Sequence, residues 1–279
     1  MRPLFVLPFD HRSSFAKTLL GFAYPPTARE AKRVVEMKQI VFDAFLLARK
    51  QVDHPDQLAI LVDEEFGSPI LKKTRRMKIP FALTTEKSGE ALYHFQYGND
   101  FGKHLKQFQP TFAKALVRYN PAQNTKNKQQ LARLKKLSTF CKKEKMGFMF
   151  ELLVDGKGSQ VDLMARSLKQ IIKAGVEPTL WKLEGLNTMT DWKKLDGITK
   201  TDIIVLGRGE SKKAVDHWIK TAAKSGIPDG FAIGRTIFFK PLEQYRDKKI
   251  NREQAVEAIA KNYLHYIKLW EKSVRKRGE

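Results

Sequence analysis

Lys182 stands at the centre of TLWKLEGL (179–186), an otherwise apolar run of strand length, with Glu184 two places on. Burying an ammonium costs several kcal/mol unless something compensates. An interior lysine loses proton affinity through desolvation and through repulsion from a neighbouring cation. A lysine that is partly neutral near pH 7 attacks ketones and aldehydes to give a Schiff base. Lys114, midway along FAKALVRY (112–119), supplies the neighbouring cation or a proton shuttle. The plainer alternative is an inward salt bridge, Lys182–Glu184 or Lys114–Glu151, that only balances charge. Two separate strands each carrying a mid-strand lysine weigh against it.

Other residues with chemical potential cluster after apolar runs. In FDHRSSF (9–15), Asp10 is suited to act as a general base or to orient a hydroxyl, and Arg12 to pair with an anion. The structural alternative is that Asp10 and Ser13 shape a turn. LVDEEFGSP (61–69) sets Asp63, Glu64 and Glu65 at the end of another run, and Glu65 is the candidate to face a substrate. VLGRGES (205–211) and AIGRTIF (232–238) offer Gly207 and Gly234, whose backbone N–H groups can approach an anion, beside Arg208 and Arg235. Ser211 reads first as a helix N-cap. Neither glycine pattern is a nucleotide fingerprint: there is no GxxxxGK[ST] loop and no GxGxxG after a first strand. The histidines form no metal-binding spacing and Cys141 is alone, so neither a metal nor another cofactor is expected.

These residues need a frame that converges them. Apolar runs recur at LFVLPF (4–9), LAILVD (58–63), IPFALT (79–84), FAKALVRY (112–119), GFMFELLV (147–154), TLWKLE (179–184), DIIVLG (202–207) and GFAIG (230–234). Helical periodicity predicts helices near 27–49, 67–77, 99–108, 125–145, 160–174, 188–196, 211–224 and 251–272. Alternating strands and helices imply a parallel sheet, and eight units without a composition break favour a closed α/β barrel of the (β/α)8 (TIM) type. The chain is expected to form one domain over 1–279, with a basic, frayed tail at about 272–279. Side chains alternate between helices and barrel interior along each strand. Parity then points Lys182, Glu184, Lys114, Met149, Glu151 and Asp10 inward, mostly near the strand C-termini where barrel enzymes place their chemistry.

Composition bounds the rest. The 279 residues are 42% hydrophobic, enough for one sizeable core, and carry 52 Lys+Arg against 30 Asp+Glu, a formal net charge of +22. That excess can attract polyanions, but the lysines are spread over helix faces, so a solvated surface is the first reading and nucleic acid an unfavoured partner. A single cysteine, no signal-peptide pattern and no membrane-length apolar run lead to an expectation of a cytoplasmic protein with no membrane partner.

Taken in order, LFVLPFDHR, DEEFG, LWKLEGL and GFAIGRTIF resemble the aldolase-like domain found C-terminal to 5-dehydro-2-deoxygluconokinase in bacterial myo-inositol catabolism. More remotely the chain is similar to class I tagatose-1,6-bisphosphate aldolases, Schiff-base (β/α)8 barrels. The resemblance implies that Lys182 forms the imine, that Lys114 and Glu151 match the strand-four lysine and strand-five glutamate, and that Gly234 and Arg235 grip phosphate. Asp10, His11 and Arg12 fall on a strand-one DQR motif, with histidine in place of glutamine. No kinase sequence precedes the barrel here, so the expectation is a chain that works alone or with a separate kinase. The implied activity is cleavage of a phosphorylated keto-sugar acid, 6-phospho-5-dehydro-2-deoxy-D-gluconate, to dihydroxyacetone phosphate and malonate semialdehyde. Asp10 and Glu151 remain unranked as the base, and a homo-oligomer is left open. Two other classes stay open: a catalytically silent sugar-phosphate-binding barrel, and a polyanion-binding protein on a barrel scaffold.

Overall fold

The computed structural model describes residues 3–275. Eight parallel strands close into a barrel in sequence order: β1 (Leu4–Pro8), β2 (Leu58–Val62), β3 (Phe81–Thr84), β4 (Phe112–Tyr119), β5 (Gly147–Val154), β6 (Leu180–Glu184), β7 (Asp202–Leu206) and β8 (Gly230–Ala232). The helices between and after them are α1 (Ala28–Arg49), α2 (Glu64–Arg76), α3 (Phe101–Phe108), α4 (Asn124–Lys143), α5 (Gln160–Lys173), α6 (Met189–Lys193), α7 (Lys212–Ser225), α8 (Arg235–Arg246) and α9 (Arg252–Arg275). The (β/α)8 barrel expected from the alternation of apolar runs is the observed fold. None of the described helices is long and apolar enough to cross a membrane.

Local chemistry sets where the helices begin. Thr27 and Glu30 form a capping box at α1, and the side chains of Asp63, Ser159, Thr188 and Ser211 accept first-turn N–H groups of α2, α5, α6 and α7. Asp63 starts α2 at Glu64, three residues before the predicted 67. The basic residues from Lys272 to Arg275 continue α9 rather than fray; the rest of the expected tail, 276–279, lies outside the described residues.

The sequence reading missed α8, because Pro241 interrupts its pattern and the segment after GFAIG read as a phosphate loop. Proline has no N–H to bond the carbonyl four residues back, here that of Ile237. Asn262 of α9 supplies the donor instead, its Nδ2 lying 2.9 Å from that oxygen.

Strand parity sorts two cores. Phe148, Phe150, Leu152, Trp181 and Leu183 pack outward with the helices. Val6, Ala59, Leu61, Ala82, Met149, Leu180, Ile204 and Ala232 fill the barrel interior. That plug closes the bottom, so polar side chains one or two residues further along the strands gather above it, at the C-terminal mouth.

Candidate active site

The mouth holds a cavity of about 530 Å³, lined by the ends of β1, β4, β5, β6, β7 and β8 and by residues 86–93 after β3. Those last residues fold as a small hairpin, with an antiparallel bridge between Glu86 and Phe95.

Lys114 organises the floor. Its Nζ lies 2.8 Å from Asp10 Oδ2, 2.5 Å from Glu86 Oε1 and 2.9 Å from Glu151 Oε2. An ammonium has three N–H donors, so three carboxylates occupy all of them. Burial opposes the charge on Lys114, but Asp10, Glu151 and Glu86 together hold its pKa well above the ordinary lysine value. It is a fixed cation, and the proton-shuttle alternative does not suit it. Burial would raise the pKa of Asp10, yet Lys114, His11 and Lys182 outweigh it and keep this carboxyl ionised. Glu151 behaves alike: burial is overcome by Lys114 and Lys182, and its pKa lies below the usual carboxylate value. Both carboxylates therefore stand ready as bases near neutral pH.

Lys182 is 4% exposed, lines the same cavity, and has its Nζ 2.9 Å from Glu151 Oε1. Glu151 thus bridges the two lysines, one oxygen to each. The expected direct repulsion between two neighbouring ammoniums is interrupted by this carboxylate. Of the two salt bridges anticipated as the plain alternative, Lys114–Glu151 forms, whereas Lys182 goes to Glu151 and not to Glu184. Lys182 keeps donor capacity that Lys114, which lines the same cavity, has spent.

His11, Arg12, Gly207, Arg208, Gly234 and Arg235 all line the cavity. Burial pushes the pKa of His11 down to about 4, so its ring is neutral at pH 7, and its Nδ1 is buried with no partner among the described residues. Arg12 is spent on the hairpin, donating to the Glu86 carbonyl at 2.6 Å and to Gln96 Oε1 at 3.0 Å. Arg235 opens α8 beside its N-cap, Gly234, and its guanidinium donates to the Arg208 carbonyl. It packs against Gly209, whose φ of +79° favours glycine: a Cβ there would come within 2.4 Å of Arg235 Cζ and displace the guanidinium. This wall of arginines, glycines and a helix N-terminus offers donors to an anion.

Two expected substrate contacts do not line the cavity. Glu65 is exposed and accepts a hydrogen bond from the Tyr24 hydroxyl at 3.0 Å. Glu184 is buried, takes the Val154 N–H at 2.8 Å and pairs with Arg208. It ties the ends of β5 and β6 to the arginine wall, a positioning task. In the other direction, Glu86 went unnoticed in the sequence. Ala82, Thr84 and Glu86 share one parity, but β3 ends at Thr84 as the sequence predicts, and Glu86 lies beyond it in the hairpin. Lys38 of α1 was missed as well. It is fully buried behind the site, pairs with Asp63 and donates to the Phe9 carbonyl at 2.8 Å, next to Asp10.

The (β/α)8 barrel has counterparts among solved structures. A fructose-bisphosphate aldolase from Plasmodium falciparum aligns with a TM-score of 0.68 at 15% identity, covering 100% of this chain and 91% of that chain. Cgl0159 from Corynebacterium glutamicum aligns at 0.61 with 17% identity, covering 94% and 86%. An archaeal fructose-1,6-bisphosphate aldolase, determined with its catalytic Lys covalently bound to the carbinolamine intermediate of its substrate, aligns at 0.58 with 12% identity, covering 93% of each chain. These likenesses define an aldolase-type barrel fold. Residues 1–274 match the family described as an uncharacterized protein conserved in bacteria (DUF2090), and the chain belongs to that family. No curated protein matches the chain.

Proposed function

We propose that the chain is a class I aldolase acting on a phosphorylated keto-sugar acid, 6-phospho-5-dehydro-2-deoxy-D-gluconate, in myo-inositol catabolism. The observation that carries the reading is the lysine pair bridged by Glu151, with Lys182 open to the cavity. The likeness to Schiff-base barrels and the strand-end motifs support it.

In this mechanism the ketone carbon settles above Lys182, with the phosphate on Arg235 and the Gly207–Gly234 wall. Glu151 accepts a proton from Lys182 as nitrogen attacks the carbonyl. It returns a proton to the carbinolamine hydroxyl, so water leaves and an iminium remains. The iminium draws in the electron pair of the bond between the α and β carbons. Asp10 removes the β-hydroxyl proton, that bond breaks, and malonate semialdehyde departs as the aldehyde. The enamine left on Lys182 regains a proton at carbon, and water hydrolyses the imine to release dihydroxyacetone phosphate. Glu151 serves nitrogen because it touches Lys182, and Asp10 serves oxygen because Lys114 separates it from that amine. Lys114 keeps each carboxylate ionised until its proton transfer.

Borohydride reduction in the presence of dihydroxyacetone phosphate tests the reading directly. Mass spectrometry should find one reduced triose adduct on Lys182 and none in Lys182→Ala. An adduct on another lysine, or none at all, overturns it. An adduct without cleavage of the keto-sugar acid would mark the catalytically silent barrel instead. Arg235→Ala should raise KM for phosphorylated substrate far more than for a non-phosphorylated analogue.

A further inference from the structure

The cationic side chains lining the cavity are nearly all committed. Lys114 and Lys182 bind carboxylates, Arg12 holds the hairpin, Arg208 pairs with Glu184, Arg235 donates to the Arg208 carbonyl, and Lys87 pairs with Glu90 at 3.3 Å. Arg118 is different. It lines the cavity and is exposed, and among the described residues its guanidinium has neither a hydrogen bond nor an ion pair.

Its position is defined by register. Arg118 shares a face of β4 with Lys114 and Leu116, and Leu116 is level with Glu151, which is level with Lys182. Arg118 therefore lies one pleat, about 7 Å along the strand, beyond the level of the Lys182 backbone towards the mouth. Around the closed barrel, β4 lies opposite β8, with β6 midway between them. Arg118 and Arg235 thus occupy opposite sides of the mouth, with Lys182 between them. Bound ketone has one end at the arginine–glycine wall of β7 and β8, so its other end is directed towards Arg118.

We propose that Arg118 binds the carboxylate at the substrate end away from the phosphate, the end that departs as the aldehyde; this rests on the aldolase reading above. A guanidinium presents a planar fork that matches a carboxylate bidentately. No glycine wall or helix N-terminus accompanies Arg118 as they accompany Arg235, so a singly charged carboxylate suits it better than a second phosphate. The residue selects which aldehyde the enamine on Lys182 gives up or accepts.

The test is condensation of dihydroxyacetone phosphate with three aldehydes: malonate semialdehyde, glyceraldehyde 3-phosphate and uncharged propanal. Arg118→Ala should lower kcat/KM for malonate semialdehyde by about 10- to 100-fold, the range for a lost hydrogen bond to a charged group. The effect on propanal should be several-fold smaller, and Arg118→Lys, which keeps charge but loses the fork, should fall between. Equal losses on all three aldehydes overturn the inference while leaving the aldolase reading intact. A wild-type preference for glyceraldehyde 3-phosphate that vanishes in Arg118→Ala overturns the carboxylate assignment. A wild-type chain that traps no triose adduct with borohydride overturns the reading and this inference together, and that control separates the two failures.

Discussion

Replacing Lys114 with methionine removes the cation while keeping most of the volume, and its consequences follow from three distances. Contacts of 2.5, 2.8 and 2.9 Å to Glu86, Asp10 and Glu151 each represent a gross attraction of about 6 kcal/mol at an effective dielectric near 20. Desolvating the buried ions offsets most of that, and deleting one partner of a buried ion cluster costs about 3–5 kcal/mol. Against a total stability of about 5–15 kcal/mol, the variant should fold but marginally. Its pH dependence is the sharper readout. In the wild type, the pKa values of Asp10 and Glu151 are depressed, so their contribution is present above the unfolded carboxylate pKa and lost as pH falls. Without Lys114, Lys182 still opposes burial but the largest opposing charge is gone, so both carboxyls rise. The stability they add above the unfolded carboxylate pKa then shrinks, and the variant gains less than the wild type as pH rises. Urea unfolding at pH 5 and pH 8 should therefore show a larger deficit at pH 8, and the acid limb of the kcat/KM profile should move upward. A deficit that is equal at both pH values, with an unmoved acid limb, would refute the assignment of Lys114 as the cation that keeps these carboxylates charged.

Two further variants separate roles that the sequence left unranked. Asp10→Asn should still form the borohydride adduct with dihydroxyacetone phosphate, yet cleave the keto-sugar acid about 10²–10⁴-fold more slowly, the range for a lost general base. Glu151→Gln should instead slow adduct formation itself, and the reverse pattern exchanges the two assignments. Asn262→Ala removes the donor to the Ile237 carbonyl. An unsatisfied buried acceptor predicts a loss of about 1–3 kcal/mol in urea unfolding. A change under about 0.5 kcal/mol would show that the proline-interrupted turn of α8 does not depend on α9.

The legible parts of this molecule were those whose environment repeats. Each strand is a short apolar run, and its two-residue period puts Lys114, Glu151 and Lys182 on the interior face without any knowledge of partners. Parity cannot say which buried groups meet, because register and the height of each strand in the barrel decide that. Lys182 was expected to answer to Lys114 and Glu184. In the fold, Glu151 stands between the lysines and Glu184 turns to the Val154 N–H and Arg208. The same limit hid α8, since the donor that rescues Pro241 comes from a residue in the next helix. Lys38 shows a signal that was present and passed over. Val34, Met37, Lys38, Val41, Phe42 and Phe45 follow helical spacing and are all buried, so a lysine among them has to find an acceptor inside. It finds Asp63 and the Phe9 carbonyl, one residue before Asp10. An isolated charge in an apolar stripe, whether of period 2 or 3.6, therefore marks the site better than any of the surface charge. In this chain such residues bear on both sides of the strand that carries Asp10: Lys114 from within the barrel and Lys38 from the helix layer.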